Sequence, residues 1–114
     1  MTESQIEFNN NRYKKLTRCL EDMPEMENMF TTLLKEQYNN GSIDSKTKCL
    51  MAMAIALGAG CRNRVLGQAE GALKLGATRE EFLETISVVV SIRGTTGVAE
   101  SLRVVQFLDE QGIL

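Results

Sequence analysis

Residues 45–78, SKTKCLMAMAIALGAGCRNRVLGQAEGALKLGAT, decide how this chain folds. Two helices meet there at a glycine elbow, Gly58-Ala59-Gly60, with Cys61 just past the break. The first, from about Ser45 to Leu57, carries Leu50, Met51, Met53, Ile55 and Leu57 and is apolar nearly all round, which places it in the middle of a protein. The second, from about Arg62 to Leu75, is amphipathic: Val65, Leu66, Ala69, Ala72 and Leu73 oppose Arg62, Arg64, Gln68, Glu70 and Lys74. Gly76 then offers the left-handed conformation that ends a helix. A cysteine at a helix start between two such helices is the place in the chain that suggests chemistry.

Outward from this pair the remaining pattern is also helical. Toward the N-terminus, Tyr13, Leu16 and Leu20 recur at helical spacing between Arg12 and Glu21, while the residues before Asn11 either extend that helix or trail as an arm. Pro24 suits the first turn of a helix running to Tyr38, with Glu25 and Glu27 at its positive end. The methionines Met23, Met26, Met29, Met51 and Met53 read as adaptable core packing. Asp44 is placed to cap the central helix.

Toward the C-terminus, Thr78-Arg79-Glu80-Glu81 is a capping box. It opens a helix with Phe82, Ile86, Val89 and Val90 inside. Val88-Val89-Val90 has strand propensity, but the chain offers no second strand to pair with it, so the helix is retained. Gly94-Thr95-Thr96-Gly97 reads as a loop or cap before a last helix from Val98 to Leu108, buried through Leu102, Val105 and Phe107. The expectation is one all-α domain over residues 1–114, with about six helices.

Composition removes many functions. A net charge of −2 disfavours a nucleic-acid or anionic-membrane partner. The cluster Arg12, Lys14, Lys15 and Arg18 lies among acidic neighbours and reads as a solvated helix face. No apolar run reaches the ~20 residues of a membrane span, and the N-terminus is too polar for a signal peptide. The cytoplasm is the expected compartment, where Cys19, Cys49 and Cys61 stay reduced. There is no histidine, which excludes His-based acid–base catalysis and most zinc sites. Neither a metal nor a cofactor is expected.

The run Ser42-Ile-Asp-Ser-Lys-Thr-Lys-Cys-Leu50, the later Gly60-Cys61, Gly71-Ala-Leu and Gly76-Ala-Thr-Arg-Glu-Glu81 closely resemble the carboxymuconolactone decarboxylase family, which includes alkylhydroperoxidase D-like proteins. The likeness is strongest over residues 42–92. It implies an all-helical bundle assembled as a homo-trimer or hexamer. The family's redox branch carries a glutamate twelve residues before a CxxC pair and a histidine four residues after it. On this chain the first cysteine is Cys61, the second falls on Arg64, the histidine on Gln68 and the glutamate on Cys49. A relay between two cysteines three apart therefore does not carry over, and a decarboxylase would lack its histidine too, with Glu70 or Glu100 as carboxylates that nothing in the sequence positions.

Two functional readings remain. In the first, Cys61 alone acts as a thiol peroxidase on a hydroperoxide, with Arg64 stabilising the thiolate and an external thiol as reductant. The free amides of a helix N-terminus favour negative charge there by roughly 0.3–1 kcal/mol. In the second, the protein is a noncatalytic or small-ligand-binding oligomer with a pocket near Cys49, Cys61, Arg64 and Gln68. If the two central helices pack antiparallel, Cys49 lies ~12 Å down the first helix, level with Gln68 or Ala69, and out of disulfide reach of Cys61. Arg93 is either an anion-facing group or an exposed helix-end arginine.

Overall fold

The computed structural model describes residues 3–114. They form six helices: α1 (Gln5–Glu21), α2 (Pro24–Tyr38), α3 (Ser45–Ala59), α4 (Arg62–Lys74), α5 (Arg79–Arg93) and α6 (Thr95–Glu110). The all-α expectation holds, including the valine run inside α5. The central pair is joined through Gly60, whose φ of 71° ends α3 while the Cys61 amide donates to Ala56 O at 2.8 Å. The same arrangement ends α4 at Gly76, where φ is 90° and the Ala77 amide donates to Ala72 O at 2.9 Å. Only a residue at ease in the left-handed region closes a helix this way.

The caps also follow the sequence. Asp44 accepts from the Thr47 amide at 2.8 Å. Thr78 and Glu81 complete their reciprocal box, with Thr78 N donating to Glu81 Oε1 at 2.9 Å and Glu81 N donating to Thr78 Oγ1 at 3.2 Å. Of the two readings of the early residues the helix holds from Gln5 onward, and residues 1–2 lie outside the described residues. Ser4 caps this helix, and Glu110 from α6 accepts from Ser4 Oγ (2.6 Å), Gln5 N (2.9 Å) and Ile6 N (3.2 Å).

The core lies where α3, α4, α5 and α6 converge, with Met53, Leu57, Leu66, Phe82, Val104 and Phe107 sealed from solvent. Of the two readings of Gly94–Gly97 the cap holds, at Gly94 alone, because Gly97 sits inside α6 where the backbone of α5 comes close: an added Cβ would lie 3.3 Å from Val89 O. With the register so fixed, Val104 rather than Leu102 points inward, and Leu102 is exposed.

The methionine stripe is not core. Met23, Met26, Met29 and Met51 are exposed, and Met53 alone of the five is buried. The reason is that α2 packs on α1 and α3 from one side and buries no residue fully. Likewise α3 is not covered all round, and Ile55 on its outer side is 69% exposed.

Candidate functional site

Cys61 is the N-cap residue of α4 and is half-buried, with its side chain making no capping hydrogen bond. Its nearest cation in sequence, Arg62, leans toward Glu100 on α6 (Nε to Oε2 3.9 Å). Cys49 is buried in α3, and its sulfur would lie 3.3 Å from a Cβ added at Gly71 on α4, so this contact falls one turn beyond Gln68. Burial pushes the Cys49 thiol up, which keeps it protonated and a poor nucleophile. Cys19 is exposed on α1, and all three cysteines are free thiols. Among the described residues no group of three potential metal-ligating side chains gathers.

Arg64 and Gln68 are four residues apart on α4 and therefore share a face. Both line a groove of about 730 Å³ between α4 and the helices α1 and α2. Phe8 and Leu16 from α1 and Phe30 and Leu34 from α2 form its apolar wall. Neither Cys49 nor Cys61 lines this groove. The structure thus brings together two of the four residues singled out from the sequence and sets the two thiols apart from them.

The same groove contains a residue the sequence reading placed in solvent. Arg12 is not part of a solvated face; it is half-buried, and its guanidinium lies where a side chain at position 67 would be. A Cβ added at Gly67 would collide with Arg12 Nη2 and stand 3.3 Å from its Cζ. The neighbouring Tyr13 ring lies 4.3 Å from the guanidinium, within cation–π range. Asn9, fully buried one turn earlier, accepts from Arg12 Nε and Nη2, each at 3.3 Å, and donates to Glu70 Oε2 at 2.5 Å. Glu70 is also paired with Lys74 Nζ at 2.9 Å.

A signal for this arrangement was present in the sequence. Gly67 is an interior helix residue that costs about 1 kcal/mol relative to alanine, a sign of close approach by another group. Which group approaches was not legible, because Arg12 is 55 positions away on a helix whose partner no local pattern identifies. Arg93 matches neither expectation: it is partly buried, and its Nη1 donates to Leu57 O at 2.7 Å, capping the end of α3 from α5. Glu70 and Glu100 are engaged with Asn9, Lys74 and Arg62 as described.

Comparison with known proteins places this all-helical bundle in a family. The model of the carboxymuconolactone decarboxylase family matches residues 24–107, and the chain belongs to that family. Uncharacterized protein 4 in the cox locus of Paracoccus denitrificans is 32% identical over 85 residues, covering 75% of this chain and 77% of that one. An uncharacterized protein of Cupriavidus necator is 29% identical over 80 residues, covering 70% and 71%. Among solved structures, an apo carboxymuconolactone decarboxylase family protein from Legionella pneumophila superposes with a TM-score of 0.87 at 28% identity, over 96% of this chain and 97% of that chain. A Thermotoga maritima protein gives 0.80 at 24% identity over 92% of each, a likeness of fold alone.

Proposed function

We propose that this protein is a small-molecule-binding member of its family in which the disulfide relay has been replaced by a binding groove. The observation that carries this reading is the groove beside α4, lined by Arg64 and Gln68, the positions where the resemblance puts the second cysteine and the histidine. An arginine and an amide bind and orient; neither exchanges a proton near neutral pH. The remaining thiols do not supply a relay, since Cys49 is buried and outside the groove.

The direct test is catalytic turnover of an alkyl hydroperoxide with a dithiol as reductant. The expected result is a rate equal to the protein-free blank. Sustained multiple turnover by the wild-type protein would overturn the reading.

The competing reading, a thiol peroxidase using Cys61 alone, has its own support in the half-buried position of Cys61 at the start of α4, with its sulfur not engaged in capping. There the thiolate attacks the distal oxygen of a hydroperoxide: an S–O bond forms, the O–O bond breaks, and the alcohol leaves with a proton. One external thiol then condenses with the sulfenic acid to a mixed disulfide, releasing water, and a second displaces Cys61 as the free thiol, leaving as the external disulfide. Intact mass after one equivalent of peroxide is the test. A one-oxygen adduct in the wild type and none in Cys61→Ser supports it, and an unchanged wild-type mass over many minutes excludes it.

The exposed apolar side chains Met26, Met29 and Leu33 on α2, with Ile55, Val88 and Ile92, support a homo-oligomer, and the family resemblance suggests a trimer or hexamer. Light scattering at micromolar concentration tests this, a single mass near 12.7 kDa being the contrary result. Among the described residues no helix is long and apolar enough to cross a membrane, and three free thiols suit the reducing cytoplasm as the working compartment.

A further inference from the structure

We infer that the ligand of the groove is an anionic amphiphile, a carboxylate on an apolar tail, held at its charged end by Arg12 and Arg64; this rests on the binding-groove reading above. Two guanidinium groups from different helices line one concavity. Among the described residues neither makes an ion pair with a carboxylate, whereas Arg18, Lys46, Arg62, Lys74, Arg79 and Arg103 each do. Two acidic side chains border the groove as well: Glu3, which pairs with Arg103 at 3.5 Å, and Glu7, exposed at the first turn of α1.

The way Arg12 is held is the strongest part of the argument. A carboxylate beside it would orient the guanidinium and cancel its charge at once. Here the carboxylate of Glu70 is set one residue back, and the buried amide of Asn9 stands between the two. Asn9 donates to Glu70 and offers only its neutral carbonyl oxygen to Arg12. The guanidinium is thereby fixed in direction while its charge stays available, and its Nη1 makes no hydrogen bond among the described residues. Gly67 completes the cradle by leaving the space the guanidinium occupies.

Guanidinium groups match carboxylate geometry through paired N–H donors. The rest of the lining is of the opposite character: Phe8, Leu16, Phe30 and Leu34 cover the far wall. At about 730 Å³ the groove falls within the size range of small-molecule sites. A charged end beside an apolar wall selects a ligand with the same division.

The test is equilibrium dialysis of the full chain against decanoate and against its uncharged counterpart 1-decanol, for the wild type, Arg64→Gln and Gly67→Ala. Arg64 is exposed, and an alanine at position 67 displaces only the flexible end of Arg12, so both variants are expected to fold; circular dichroism verifies it. Wild type should bind decanoate about ten-fold more tightly than 1-decanol, and each variant should lose about ten-fold for decanoate with no change for 1-decanol. Equal binding of the two probes, or wild-type affinity for decanoate in both variants, overturns the anion inference while the groove reading stands. Failure of the wild type to bind either probe overturns both.

Discussion

The two long faces of α4 have opposite characters. Toward α3 and the core it presents Val65, Leu66, Ala69 and Ala72, all buried. Toward α1 it presents Arg64, Gly67 and Gln68, which line a groove. The first face is filled by packing; the second is shaped by a side chain that is missing. A single helix thus carries both the scaffold and the candidate site, and the two should respond to mutation in separate ways.

The largest expected effect is on the packed face. Leu66 is fully buried, and Leu66→Ala leaves a cavity where α3, α4 and α6 meet. A loss of about 2–5 kcal/mol is expected in urea unfolding. A loss below about 1 kcal/mol would mean that the core collapses easily around this position and that the two faces differ less than their burial indicates.

The next effect lies on the groove's other wall, α1, and is set by pH. Glu110 accepts from the Ser4 hydroxyl first and from the amides of Gln5 and Ile6, which together hold its carboxyl below the usual glutamate range. The folded protein therefore binds this proton less readily than the unfolded chain. Its stabilising contribution is complete above the unfolded carboxyl value, ~4.3, and is lost as pH falls through the lower folded value. The start of α1 should loosen in acid while the α3–α4 packing persists. NMR signals of the Ile6 and Phe8 amides against those of Val65 and Leu66 will separate the two. Glu110→Gln should cost about 1 kcal/mol, the value of a helix cap, and show the loosened α1 signals already at neutral pH. Simultaneous loss of all four signals would show that α1 and the core form one cooperative unit.

What the sequence made legible follows the same division. Apolar periodicity, the capping box and the two terminating glycines located the helices, since each of these signals acts within a few residues. The burial of α2 was not legible, because Met26 and Met29 have the same spacing as core residues and only the arrangement of neighbouring helices leaves them uncovered. Gly97 was read as a breaker for a related reason: the close approach of α5 that calls for a glycine there is a tertiary fact. At the site, Arg64 and Gln68 were legible through the family resemblance, which puts the second cysteine and the histidine at those positions. Arg12 and Asn9 were not, as their roles depend on Glu70 and Gly67 across the groove.

The smallest expected change in stability is on the groove face itself, and it bears directly on what this face has become. Arg64 is exposed and makes no ion pair among the described residues, so its replacement should shift stability by no more than about 0.5 kcal/mol. Arg64→Cys is then informative about geometry alone. The Arg64 amide already donates to the Cys61 carbonyl at 3.3 Å in the first turn of α4, the cap-and-first-turn setting in which a CxxC pair cycles between thiol and disulfide. Mild oxidation of this variant should remove two hydrogens from the intact mass, and Cys61→Ser in the same background should prevent it. If the disulfide forms, the backbone at the head of α4 still suits a CxxC disulfide, and the side chain at position 64 is what withholds that bond. If it does not form, the helix start has itself been rebuilt, and the groove face has diverged in backbone as well as in side chains.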